Sequence, residues 1–109
     1  MHFKKLPAMP KNGMRPVHPG EVLLEDYLTP LGMSANALAR YLHVPANRVS
    51  AILNGSRSIT AETALRLSRF FKTTPGFWMN LQSTYDLRLA EMADGKRIEH
   101  DVAPLSAHA

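Results

Sequence analysis

Between Pro19 and Met92 the apolar residues recur three and four positions apart, and nowhere do they alternate with polar ones as in a half-buried strand. This rhythm predicts five helices. The first starts at Pro19, where a proline fits because a first-turn N–H has no intrahelical partner. It carries Val22, Leu23, Leu24, Tyr27 and Leu28 and is expected to stop at Pro30 and Gly32. Ser34 reads as the N-cap of a second helix bearing Leu38, Ala39 and Leu42. After a break at His43-Val44, Pro45 opens a third helix with Val49, Ile52 and Leu53, closed by Gly55. Thr60 caps a fourth, with Glu62 in its first turn and Ala64, Leu67 and Phe71 inward; Thr74-Pro75 starts a fifth, with Trp78, Leu81, Tyr85, Leu89 and Met92 along one stripe. The expected architecture is an all-α, five-helix bundle over residues 17–93. Residues 1–16, with three prolines and three lysines and no period, read as a flexible arm, and residues 94–109 as a disordered tail.

The stretch Met33 to Gly55 joins two short helices by a turn so tight that they must cross steeply, which is the helix-turn-helix arrangement whose second helix enters the DNA major groove. Ala39 supplies the small side chain needed where the two backbones approach. If Val49, Ile52 and Leu53 point inward, a rotation of 100° per residue places Asn47, Ala51 and Asn54 outward, flanked by Arg48 and Ser50. Asn can pair with an adenine edge, Arg with a guanine edge, and small residues let a helix sit deep. Asn54, Ser56 and Arg57 at the helix end, and Arg40 on the second helix, suit phosphate contacts. The rival reading of this face is a merely solvated surface on a small bundle.

Charge sharpens the picture. The 109 residues carry a net +4. Between residues 31 and 85 six cations (Arg40, Arg48, Arg57, Arg66, Arg69, Lys72) meet Glu62 alone, whereas the last 24 residues are net acidic. A basic middle points to a polyanion such as double-stranded DNA. No apolar run approaches the ~18 residues that span a bilayer, and Met1–Pro7 lacks the apolar segment of a secretory signal, so the expected home is the cytoplasm. With no cysteine, and with no two of the five histidines at i, i+3 or i+4, neither a metal nor a cofactor is expected. Asp26, Glu62 and Asp86 are separate carboxylates on amphipathic helices, and there is no nucleophile elbow or glycine-rich phosphate loop. No enzymatic constellation stands out.

Three segments carry a more specific likeness: HPGEVLLEDYLTPLGMS (His18–Ser34), ALARYLHVPANRVSAILNGSRSITAETALRLSRFF (Ala37–Phe71) and FWMNLQSTYDLRLAE (Phe77–Glu91). From Arg15 to about Ala90 the sequence resembles the HigA-type antitoxins of the XRE, phage-repressor-like helix-turn-helix family. The resemblance implies a lambda-repressor-like fold and a dimeric repressor that binds a palindromic operator, autoregulates its operon and neutralises a RelE-like, mRNA-cleaving toxin. It implies Ala46, Asn47, Arg48 and Ala51 as base readers and Ser34, Ala35, Asn36, Ser50, Asn54 and Arg57 as backbone contacts. Two positions depart from the related pattern: His43 replaces the usual turn glycine, and Ala35 stands where phage repressors often place a phosphate-gripping glutamine.

Trp78, Leu81, Tyr85 and Leu89 on the fifth helix are the expected dimer contact, the competing reading being that this helix only closes the monomer core. Two other functions remain open from the sequence: a stand-alone regulator without a toxin, and a protein–protein module that never touches DNA.

Overall fold

The computed structural model describes residues 15–108; the expected arm, apart from Arg15 and Pro16, lies outside the described residues. Arg15 is already anchored, its guanidinium meeting the Glu21 carboxylate at 2.6 and 2.9 Å. Five helices follow, and among the described residues there is no strand. The first, α1, is a continuous helical path made of an α segment Pro19–Val22, a π segment Leu23–Leu28 and an α segment Thr29–Leu31. Then come α2 (Ala35–Leu42), α3 (Ala46–Leu53), α4 (Ala61–Phe71) and α5 (Pro75–Asp101), with a 3₁₀ turn at Leu105–His108.

The side-chain caps lie where the polar residues before each apolar run place them. Ser34 Oγ accepts the Ala37 N–H at 3.0 Å, Thr60 Oγ1 the Thr63 N–H at 3.3 Å and Thr74 Oγ1 the Phe77 N–H at 3.1 Å. His18 caps α1, its Nδ1 accepting the Gly20 N–H at 2.8 Å.

Pro30 does not stop α1, contrary to expectation; it lies inside the last turn. In an α-helix its ring would clash with the carbonyl four residues back and leave that carbonyl without a donor. The π winding just before it widens the turn, with the Thr29 N–H reaching back to Leu24 O. The end is set by Gly32 at φ 63°, with the Met33 N–H closing on Leu28 O at 3.0 Å.

A second correction concerns the tail. The apolar stripe fades after Met92, yet α5 continues through residues 94–101 as regular helix. Arg97 bridges Asp94 at 2.9 Å and approaches Asp101 at 3.9 Å, the spacings at which opposite charges support a helix without an apolar face. Gly95 is tolerated, and the helix ends just ahead of Pro104, which disfavours helical backbone before it.

The core gathers Leu23 and Leu28 from α1, Leu38, Ala39 and Leu42 from α2, Val49 and Ile52 from α3, Ile59 from the α3–α4 loop, Ala64 and Leu67 from α4 and Trp78 from α5. Burying one such aliphatic side chain contributes about 1.5–3 kcal/mol. Trp78 is wholly buried within the one chain. Its indole N–H donates to Thr73 Oγ1 at 2.8 Å, and its ring lies 5.2 Å from Tyr27 and 4.9 Å from Phe77. It is therefore a core residue, and its expected place in a dimer contact is withdrawn. Leu81 also packs on this core and Tyr85 is half-buried, while Leu89 is exposed. Leu24, placed on the inner face of α1 by its spacing, is exposed as well.

Candidate nucleic-acid interface

The turn between α2 and α3 is closed by His43, in left-handed conformation at φ 60°, and by the Val44 N–H bonding Ala39 O at 3.0 Å. A side chain is strained there, so the departure from glycine has a conformational cost. Ala39 is buried beneath it, leaving room for α3 to cross α2. At the other end of α3, Gly55 at φ 85° lets the Ser56 N–H return to Ala51 O at 2.9 Å.

Val49 and Ile52 face the core, Ala46, Asn47, Ser50 and Asn54 are exposed, and Ala51 is half-buried between them. The helical rotation argument therefore places the outward face correctly for Asn47 and Asn54. Asn54 is partly committed, however: its Oδ1 accepts the Ser56 N–H at 3.0 Å and lies 2.7 Å from Ser56 Oγ, a side-chain turn that shapes the helix end. Around the rim, Ser34, Asn36, Arg40, Ser56 and Arg57 are exposed and Ala35 is half-buried.

Arg48 departs from the simple projection. Its side chain is only 24% exposed, and Nη1 donates to Glu62 Oε1 at 3.0 Å. The other Glu62 oxygen receives Arg66 Nε at 2.9 Å, and Arg66 Nη1 donates to the carbonyl of Leu42 at 2.8 Å. Hydrogen bonding from Arg66, with the charges of Arg66 and Arg48, holds the Glu62 carboxyl below the usual carboxylate range against a smaller desolvation effect. One carboxylate thus connects α3 to α4 and, through Arg66, to the end of α2.

Three further supports were not anticipated. A Cβ on Gly20 would run into the carbonyl oxygen of Ile52, so only glycine lets the start of α1 lie against the end of α3. His18 packs edge-on against Tyr85 of α5, ring centroids 4.9 Å apart. Burial lowers its pKa, opposed by the nearby backbone of Arg57, which favours the protonated ring, and by the charge of Asp86. Gln82, buried on α5, accepts the Ile59 N–H through Oε1 at 2.7 Å and donates to Ser58 Oγ at 3.3 Å and Asp86 Oδ1 at 3.0 Å. A polar residue inside the stripe Trp78-Leu81-Gln82-Tyr85 was the one signal in the sequence that pointed to it. Among the described residues no three metal-ligating side chains gather, and no helix is long and apolar enough to cross a membrane.

Residues 24–78 match the family described as Helix-turn-helix. The chain is 48% identical over 99 residues to virulence-associated protein I of Dichelobacter nodosus, covering 91% of this chain and 90% of that one. Its fold matches the solved structure of an addiction module antidote protein of the HigA family from Coxiella burnetii with a TM-score of 0.81 at 59% identity, over 84% of this chain and 99% of the other. It also matches the Pseudomonas aeruginosa antitoxin HigA, solved with the higBA promoter, with a TM-score of 0.82 at 49% identity over 84% and 99% of the two chains. From the α2–turn–α3 geometry and these likenesses together, the chain belongs to the XRE-type helix-turn-helix family that includes the HigA antitoxins.

Proposed function

We propose that this protein is an antitoxin and repressor. It binds a palindromic operator as a homodimer, represses its own operon, and neutralises a RelE-like, mRNA-cleaving toxin encoded beside it. The observation that carries the DNA half is the exposed Asn47, Ser50 and Asn54 on α3 beside Arg48, in a chain half identical to a relative solved with promoter DNA. Ala46, Asn47, Arg48 and Ala51 are the proposed base readers; Ser34, Ala35, Asn36, Arg40, Ser50, Asn54, Ser56 and Arg57 are the proposed backbone contacts. The protein acts by binding and needs no cofactor.

Titration of the DNA upstream of its own reading frame at several salt concentrations tests this. Arg48→Ala should weaken specific binding by about 1–3 kcal/mol and relax preference at one base position. Arg57→Ala should weaken binding to all sequences alike and flatten the salt dependence. Unchanged affinity and base preference in Arg48→Ala would remove α3 as the reader. Co-purification with the flanking gene products tests the toxin half: a retained small basic protein that stops growth when made alone supports it, and an empty pull-down beside an intact DNA shift rejects it.

A further inference from the structure

Glu62 is the one carboxylate among six cations between residues 31 and 85, and it sits against the proposed reading helix. It is not a core residue; its side chain is 55% exposed, and an ion pair so exposed contributes little to stability. Its geometry is nonetheless fixed. Arg66 grips Oε2 through Nε at 2.9 Å and Nη2 at 2.8 Å and is itself tethered to the last carbonyl of α2. The remaining oxygen, Oε1, is presented to Arg48.

We infer that Glu62 is a specificity-determining positioning residue, holding the Arg48 guanidinium against α4 and keeping it from binding phosphates indiscriminately. The inference rests on the DNA-binding reading above. A free arginine on a long stem binds any phosphate it can reach, and such contacts raise affinity for all sequences equally. An arginine already paired to a carboxylate must exchange that partner for its new one. The exchange is favourable for a base edge that offers two aligned acceptors and poor for a single phosphate near a second negative charge.

The test compares the upstream DNA of the gene with a scrambled duplex of equal length, using the full chain, Glu62→Gln, Arg48→Ala and the double variant. Glu62→Gln should bind the scrambled duplex more tightly, with a salt slope steeper by about one. Its ratio of specific to non-specific affinity should fall about tenfold. In the Arg48→Ala background the same substitution should leave base preference unchanged, which a merely structural role would not produce. A ratio that Glu62→Gln does not alter, or that it alters equally without Arg48, overturns the inference and leaves the DNA reading standing. Failure of the unaltered chain to bind either duplex overturns both.

Discussion

The imidazole of His18 accepts the Gly20 N–H through Nδ1, so a proton on that nitrogen would set a donor against a donor. The same ring lies against Tyr85, and the backbone of Arg57 and the charge of Asp86 both favour its protonated form. Burial outweighs both influences and lowers the pKa below that of a free histidine. Because the folded state binds the proton less readily than the unfolded chain, stability is highest above the unfolded pKa of about 6.5 and is lost as pH falls through the lowered folded value. We expect the melting temperature to fall between about pH 7.5 and pH 5, and to fall less in His18→Asn, which keeps a capping oxygen but does not titrate. Equal losses in the two proteins would show that the acid sensitivity lies elsewhere. Ser34, Thr60 and Thr74 were legible as caps because their partners lie three residues ahead in the chain. The restraint on Arg48 was not legible, because Glu62 is fourteen residues away on another helix and only the fold brings the two together.

Helix α1 shows how far local pattern reaches at the scale of an element. Its start, its apolar face and its glycine stop follow from sequence, yet Pro30 inside it does not, because the π winding that accommodates the ring leaves no mark in the spacing of apolar residues. The end of α5 escapes the apolar pattern for the opposite reason: its last two turns rest on ion pairs rather than burial, and ion pairs leave no apolar stripe. Gly20 was invisible as a constraint because its meaning lies in the backbone of α3. Adding a methyl group there must push α1 away from Ile52, so Gly20→Ala should lower stability by about 1–3 kcal/mol in denaturant titrations. It should also weaken DNA binding, since the end of α3 moves with it. Gly76→Ala serves as the control, because a Cβ there meets only Thr74 Oγ1 at 3.9 Å.

The described residues form an elongated body, 56 × 29 × 22 Å, with a radius of gyration of 16.9 Å against about 13 Å for a compact chain of about this length. The 27 residues of α5 are the reason, extending about 40 Å at 1.5 Å per residue. Beyond the core-facing first turns this helix exposes Leu89 and Met92 on one side and Leu87 and Ile98 on the opposite one, and the Leu89–Met92 side suits the proposed self-association better than the buried Trp78. Leu89→Asp with Met92→Asp should therefore convert a dimer to a monomer in sedimentation, with melting little changed and operator affinity reduced, because two reading helices must be held about one DNA turn apart. A chain that sediments as a dimer with both substitutions would move the contact elsewhere.

The three hydrogen bonds of Gln82 have a mechanical consequence. Two of them, from the Ile59 N–H and to the Ser58 hydroxyl, tie the α3–α4 loop to α5, the third to Asp86 holds the Gln82 amide in place within α5, and Ile59 is two residues from Arg57. The loop that follows α3 is thus pinned to the long helix at Ser58 and Ile59. Any roll or slide of the long helix would therefore carry this loop, and Arg57 within it, along. Gripping the far end of the rod is then a way to steer the other end.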